Sequence, residues 1–198
     1  VLNLVGSATA YFTVGQEDTD EFGDTITTAE PVPWNSTNPG TEVYQGIIGN
    51  NSSLGDPAHD VDMFRVELGI GDTVTVDVDA DMFDSGLDSI LRLFDSTGTP
   101  ITTGLVDGSG SSVSDEDGVV DDVPGEFIFS QGGLDAYFTF TATTAGTYYI
   151  GLSAFDNYDY DATTTGQGTG SVDPTSTGSY DLTITVENGG APLHGTQS

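Results

Sequence analysis

Apolar residues recur at every second position through most of this chain. Val74, Val76 and Val78 share one face of the stretch Thr73 to Ala80, and the aspartates Asp77, Asp79 and Asp81 share the other. The same period runs through Phe64 to Leu68, Ile90 to Phe94, Ala136 to Thr141, Thr147 to Ala154 and Tyr180 to Val186, all rich in β-branched and aromatic side chains. No window of helical length carries an i, i+3, i+4, i+7 apolar stripe, so the pattern predicts an all-β protein. Clusters of Gly, Asp, Asn and Pro separate the strands, as turns require. Glu30 to Thr41 with its three prolines, Val106 to Gly125 and Asp156 to Gly178 read as long loops. Loops of that length in a compact domain call for a function or an ordering ligand.

The first residues alternate as well, with Leu2 and Leu4, then Ala10, Phe12 and Val14. Such a segment either forms an edge strand of its own fold or pairs with the open sheet edge of another subunit. At the other end, Glu187 to Ser198 carries Gly and Pro and reads as a linker or tail. The expected organisation is an N-terminal strand or assembly segment over 1–16, one sandwich over 17–187 and a tail over 188–198. The chain starts at Val1, and neither a signal peptide nor a membrane span is visible, which reads as a processed or excised piece.

Composition sharpens this picture. Of the 198 residues 35% are apolar and 10% aromatic, enough to furnish the core of one large sandwich. Against 32 acids stand only Arg65 and Arg92, for a formal net charge of -30. A chain of that charge binds neither nucleic acid nor an anionic membrane. Carboxylates about 4 Å apart repel by roughly 1 kcal/mol even in water, so so many acids in one domain call for cations or high salt. Aspartate supplies 24 of the 32 acids, and short, hard oxygen ligands on loops are what calcium selects. A halophile's solvating surface is the competing explanation. With no cysteine, disulfides, thiolate metal sites and cysteine nucleophiles are excluded. Calcium is abundant outside cells and scarce in the cytosol, which places an acidic module of this kind in a secreted or cell-surface setting.

An ordered set of motifs then stands out. It runs Gly23-Asp24-Thr25-Ile26-Thr27-Thr28-Ala29, Gly46-Ile47-Ile48-Gly49, Asp60-Val61-Asp62-Met63-Phe64 and Gly71-Asp72-Thr73-Val74, then Leu87-Asp88-Ser89-Ile90-Leu91-Arg92-Leu93-Phe94-Asp95 and Ala145-Gly146-Thr147-Tyr148-Tyr149-Ile150-Gly151. This order, over residues 17 to 187, resembles the bacterial pre-peptidase C-terminal domain family, to which the collagen-binding domains of clostridial collagenases are related. The resemblance implies a jelly-roll-like antiparallel β-sandwich with long acidic loops, attached to secreted proteins, often stabilised by calcium and without catalytic activity. It also implies calcium ligands at Glu21 and Asp24 from the acidic N-terminal segment and at Asp60 and Asp62 before the following strand. Gly23 stands where the family usually has an asparagine.

The residues themselves offer the same first site, since Asp60 and Asp62 lie two apart and so on one face of a strand start. The alternative is a solvated acidic rim in which Asp24 caps a turn. A second candidate is Asp115, Asp117 and the neighbouring acids, approached by Asp88 and Asp135. Its aspartates two apart before Gly118 are half an EF-hand pattern, but Val113 and Pro124 occupy the first and twelfth ligand positions, so an EF-hand is excluded. Asp156 to Asp161, with Tyr158 and Tyr160, either wraps an ion, recognises a ligand or covers the end of the sandwich. The two arginines are expected in strand interiors, paired with neighbouring carboxylates.

Catalytic chemistry has little to stand on. His59 and His194 belong to no His-Glu-x-x-His zinc pattern, and no Gly-x-Ser-x-Gly elbow exists. The expectation is a non-catalytic extracellular structural or adhesive module with calcium as its cofactor. Its expected partners are calcium, further copies of itself by strand addition, or an extracellular protein or matrix ligand. An accessory substrate-binding domain of a secreted peptidase and a halophilic surface protein are the alternatives.

Overall fold

The computed structural model describes residues 20–80, 85–106, 119–120, 135–155, 157, 159–166 and 176–189. Among them lie β1 (Glu30–Asn35), β2 (Gly40–Ile48), β3 (Val61–Leu68), β4 (Thr73–Asp79), β5 (Ser89–Phe94), β6 (Leu105–Val106), β7 (Val119–Val120), β8 (Tyr137–Thr141), β9 (Gly146–Ala154) and β10 (Gly178–Glu187). They form two five-stranded sheets, ordered β1-β3-β9-β5-β7 and β2-β10-β4-β8-β6. The protein is an all-β sandwich, as the period-two pattern requires. The alternation also explains which face is buried: Val74, Val76 and Val78 of β4 meet Phe64 and Val66 of β3, Leu91 and Leu93 of β5 and Leu182 and Ile184 of β10 in one core.

A second, smaller cluster covers the outer face of the β3 sheet. There Val61, Met63 and Phe94 lie under Tyr160 and Ala162 from the chain after β9. Arg92 belongs to this outer layer. Its Nη1 donates to the Tyr160 carbonyl at 2.8 Å, and its guanidinium lies 4.8 Å from the ring centroids of both Phe94 and Tyr160. Its described contacts are thus a carbonyl and two rings, where carboxylates had been expected. Arg65 also faces outward and is exposed.

The stretch Glu30 to Thr41, expected as a loop, contains β1 and the start of β2. Its prolines hid it, but they are compatible with an edge strand, where one row of N–H groups has no partner to serve. β1 lies parallel to β3 and breaks register between Pro31 and Asn35. The other described pairings are antiparallel, and β2 matches β10 residue by residue from Gly40↔Val186 to Ile48↔Gly178. Among the described residues, no helix is long and apolar enough to cross a membrane. Residues 1–16, the acidic stretch around Asp115 and Asp117, and most of the tail fall outside the described residues.

Candidate metal centre

Three backbone segments meet where β3 begins. The first is the strap 20–24, which runs along β3 so that the Met63 amide donates to the Gly23 carbonyl at 3.2 Å. The second is the turn after β2. Gly49 adopts φ 103°, a conformation glycine takes without strain, and its amide and that of Asn50 both donate to Asp60 Oδ2, at 2.7 and 3.1 Å. The third is β3 itself, which follows a 3-10 turn at Pro57–His59. Asp60 closes that turn, its amide donating to the Pro57 carbonyl at 3.1 Å.

Alternation then points Asp60 and Asp62 inward, ahead of Phe64 and Val66. Asp60 is 0% exposed and Asp62 1%. Phe22 of the strap packs beside them, with its ring centroid 4.9 Å from that of Phe64 and 5.8 Å from that of Tyr44. This apolar anchor carries Asp20 and Asp24 to the start of β3. Asn51 Nδ2 donates to Asp20 Oδ2 and to Asp24 Oδ2, each at 3.0 Å, and the Val61 amide donates to Asp24 Oδ1 at 3.3 Å. Asp20, Asp60 and Asp62 each bring an oxygen within 4.8 Å of the others'.

Burial and crowding make these carboxylates reluctant to ionise. Asp60 is pushed up to about 7, chiefly by burial and further by Asp20 and Asp24, against the pull of the Gly49 amide. Asp20 is pushed up to about 6 by burial and then by Asp24. Asp62 lies well above the usual carboxylate range, again by burial first and Asp60 second, although the Tyr180 hydroxyl donates to it. Asp24 is raised too, by burial.

Among the described residues, one oxygen on each of Asp20, Asp60 and Asp62 is buried without a hydrogen-bond partner. A buried acceptor left unpaired costs about 1–3 kcal/mol, and a charged one more. The chain has no lysine, and both arginines lie on the outer face of the β3 sheet. The donor set is entirely oxygen and convergent, which suits a hard divalent cation.

Four of the residues singled out from sequence fall in or beside this cluster. Asp60 and Asp62 are at its centre, and Asp24 adjoins it through Asn51. Glu21 sits at the rim, exposed, and accepts a hydrogen bond from Asn50 Nδ2. Asp20, not Glu21, supplies the strap's inward carboxylate. The acidic run was visible in the sequence, but a non-repetitive strap has no period from which to read which acid turns in. Asn51, which holds two of the aspartates, carried no sequence signal.

The second candidate is only partly described. Asp135 Oδ1 accepts from the Ala80 amide at 2.9 Å. Ser89 Oγ accepts from the Ala136 amide at 2.9 Å, so Asp88 and Asp135 are neighbours of one backbone contact. Asp115 and Asp117 lie outside the described residues. In the loop after β9, Asp161 Oδ1 accepts from the Thr163 amide at 2.8 Å, and Tyr160 is buried on the outer cluster.

No protein-family model matches this sequence, and no curated protein matches it. Its fold is distantly similar to solved structures. One is the periplasmic inhibitor of g-type lysozyme PliG from Aeromonas hydrophila, at 11% identity and TM-score 0.40, covering 80% of this chain and 96% of that one. Another is the pre-peptidase C-terminal domain of a Bacillus anthracis collagenase, at 12% identity and TM-score 0.39, covering 79% and 93%. A third is CorA, a surface-associated copper-binding protein of Methylomicrobium album BG8, at 17% identity and TM-score 0.35, covering 80% and 98%.

Proposed function

We propose that this chain is a non-catalytic structural module that works outside the cell and is stabilised by calcium. The observation that carries the reading is the convergence of Asp20, Asp60 and Asp62, each of which brings a carboxylate oxygen within 4.8 Å of the others' and each of which has one buried oxygen without a hydrogen-bond partner among the described residues. Calcium would supply the positive charge that neither Arg65 nor Arg92 brings to this place. Asp20, Asp60 and Asp62 would hold it, Asn51 orients Asp20 and Asp24, and the Gly49 and Asn50 amides orient Asp60.

The work of such a site is mechanical. It ties the strap 20–24 and the turn after β2 to the first residues of β3, so that this end of the sandwich keeps one shape. Asp60 and Asp62 face the interior, not an open cleft, which favours a structural role over acid–base chemistry. An ion held by a few carboxylates at the sub-millimolar to millimolar affinity of extracellular modules is filled outside cells and empty in the cytosol, which supports the location. Rigid ends suit contact with a matrix or with neighbouring subunits.

Thermal denaturation at moderate salt, with calcium and with a chelator, tests this. Calcium at about 100 times its dissociation constant should add about 2.7 kcal/mol, seen as a higher midpoint. An unchanged midpoint in chelator, with stability following sodium chloride alone, would show that the acids serve hydration.

A further inference from the structure

We infer that the free edge of β2 receives residues 2–14 of a second copy of this chain as an added strand. The inference does not depend on the cation. β2 is the outermost strand of its sheet, bonded to β10 on one side, and among the described residues no strand lies on its other side. Sheet proteins usually guard such an edge with lysine, proline or inward charge. Gly40 to Ile48 has no lysine and no proline, and its one guard is the single charge of Glu42, which shares the inward face with Tyr44 near the Gly40 end and leaves the Ile48 end unguarded. Two large apolar residues stand on its outer face, Val43 at 52% and Ile47 at 39% exposure. The edge of the opposite sheet, β1, carries Pro31 and Pro33 by contrast.

Two further features mark this side of the sandwich as incomplete. Trp34 Nε1 on β1 and Tyr44 Oη on β2 are buried donors without a hydrogen-bond partner among the described residues. A strand added here brings backbone carbonyls. At Gly46 there is also a hollow of about 300 Å3, lined by Glu21, Gln45, Ile47, Ser179, Tyr180 and Asp181. A hollow beside an open edge is the usual source of specificity in strand addition, because alternate side chains of the incoming strand seat in it.

The chain supplies a matching occupant. Residues 1–16 carry no charged side chain, and all 32 acids lie after them. In a protein of net charge -30 this is the segment that approaches another copy with least repulsion. Leu2, Leu4, Ala10, Phe12 and Val14 alternate as a half-buried strand does, and Phe12 is large enough for the Gly46 hollow.

Geometry favours a second copy over the chain's own segment. Asn51, just past the C-terminal end of β2, holds Asp20 at 3.0 Å. With only residues 15–19 as a connection, a chain's own residues 2–14 would enter from the Ile48 end and pair parallel to β2. The same segment from another copy enters antiparallel, the somewhat stronger pattern and the one β10 already uses. Each copy that receives a strand still has its own to give, so the contact propagates head to tail.

Sedimentation velocity of the full chain tests this at about 1 M sodium chloride, where screening acts within about 3 Å and surface repulsion is weak. The expected result is a sedimentation coefficient that rises with protein concentration. Excess synthetic peptide of residues 1–16 should return it to the monomer value, and Phe12→Asp and the exposed pair Val43→Asp/Ile47→Asp should remain monomeric with unchanged thermal midpoints. A full chain that stays monomeric at every concentration overturns the inference, whether or not its β2 amides are protected by its own segment. Assembly untouched by peptide and by both variants overturns it as well. Because assembly and calcium stabilisation are read separately, loss of the chelator effect bears only on the calcium reading.

Discussion

The Tyr180 hydroxyl, on β10 of one sheet, donates to Asp62 Oδ2, on β3 of the other, so the buried acid cluster is tied across the sandwich. The tie depends on a missing side chain. A Cβ at Gly46 would collide with the Tyr180 ring and hydroxyl, so β2 passes over the tyrosine only because residue 46 is glycine.

Gly46→Ala should therefore cost about 1–3 kcal/mol, the usual penalty of overpacking, and weaken the calcium response by shifting Tyr180 away from Asp62. Chemical denaturation with and without calcium measures both. Wild-type stability and an unchanged calcium effect would mean that the Tyr180 contact positions nothing.

The acid cluster also sets a pH dependence. Asp20 at about 6 and Asp60 at about 7 hold protons more tightly when folded than unfolded, where aspartate titrates near 3.8. Their contribution to metal-free stability is present at low pH and is lost as pH rises from about 4 through 7. A site of this kind loses up to about 1.4 kcal/mol per pH unit while it titrates. Calcium binds the ionised form, so its affinity should rise over the same window. Melts from pH 4.5 to 8 in high salt, which screens the general repulsion, should show the chelated protein falling and the calcium-loaded protein holding level. Parallel curves would contradict the assignment.

Much of this was legible in the sequence, for a physical reason. Strands with one buried face announce themselves by period two, so β3, β4, β5, β8, β9 and β10 were readable to within a few residues. Asp60 and Asp62 were readable because they lie two apart at the start of a strand, hence on one face, and stand where the resembled family has its ligands. What lacks a period was hidden. β1 was obscured by its prolines. The inward turn of Asp20 rather than Glu21 depends on Phe22 docking beside Phe64 and Tyr44, a contact that joins positions far apart in the chain. Asn51 is an ordinary turn residue until the strap is in place.

Arg92 separates structural from metal-linked effects. Its guanidinium is wedged between two rings and bonded to a carbonyl, away from the acid cluster. Arg92→Lys keeps the charge but loses the planar stacking, and should cost about 1–3 kcal/mol. The midpoint should drop equally with calcium and with chelator. A drop confined to the calcium-loaded protein would place Arg92 in the metal's service.

Asp60→Asn gives the sharpest reading, because its effect should reverse sign with calcium. Asp60 Oδ2 accepts from the Gly49 and Asn50 amides, and an amide oxygen can take over both bonds. The new side-chain amide then lies beside Asp20 and Asp62 as a donor that keeps its protons at every pH, whereas Asp60 gives up its proton above about pH 7. In chelator at about pH 8, where Asp60 of the wild type has lost its proton, the variant should be more stable, by roughly 1–3 kcal/mol from a satisfied acceptor and relieved repulsion. In calcium it should gain nothing while wild type rises past it, because removing one of three converging carboxylates leaves too few ligands for the ion. Equilibrium unfolding under the two conditions reads both signs. A variant less stable than wild type in chelator would mean that the Asp60 charge already has a partner within the fold, and the argument for a cation would fall with it.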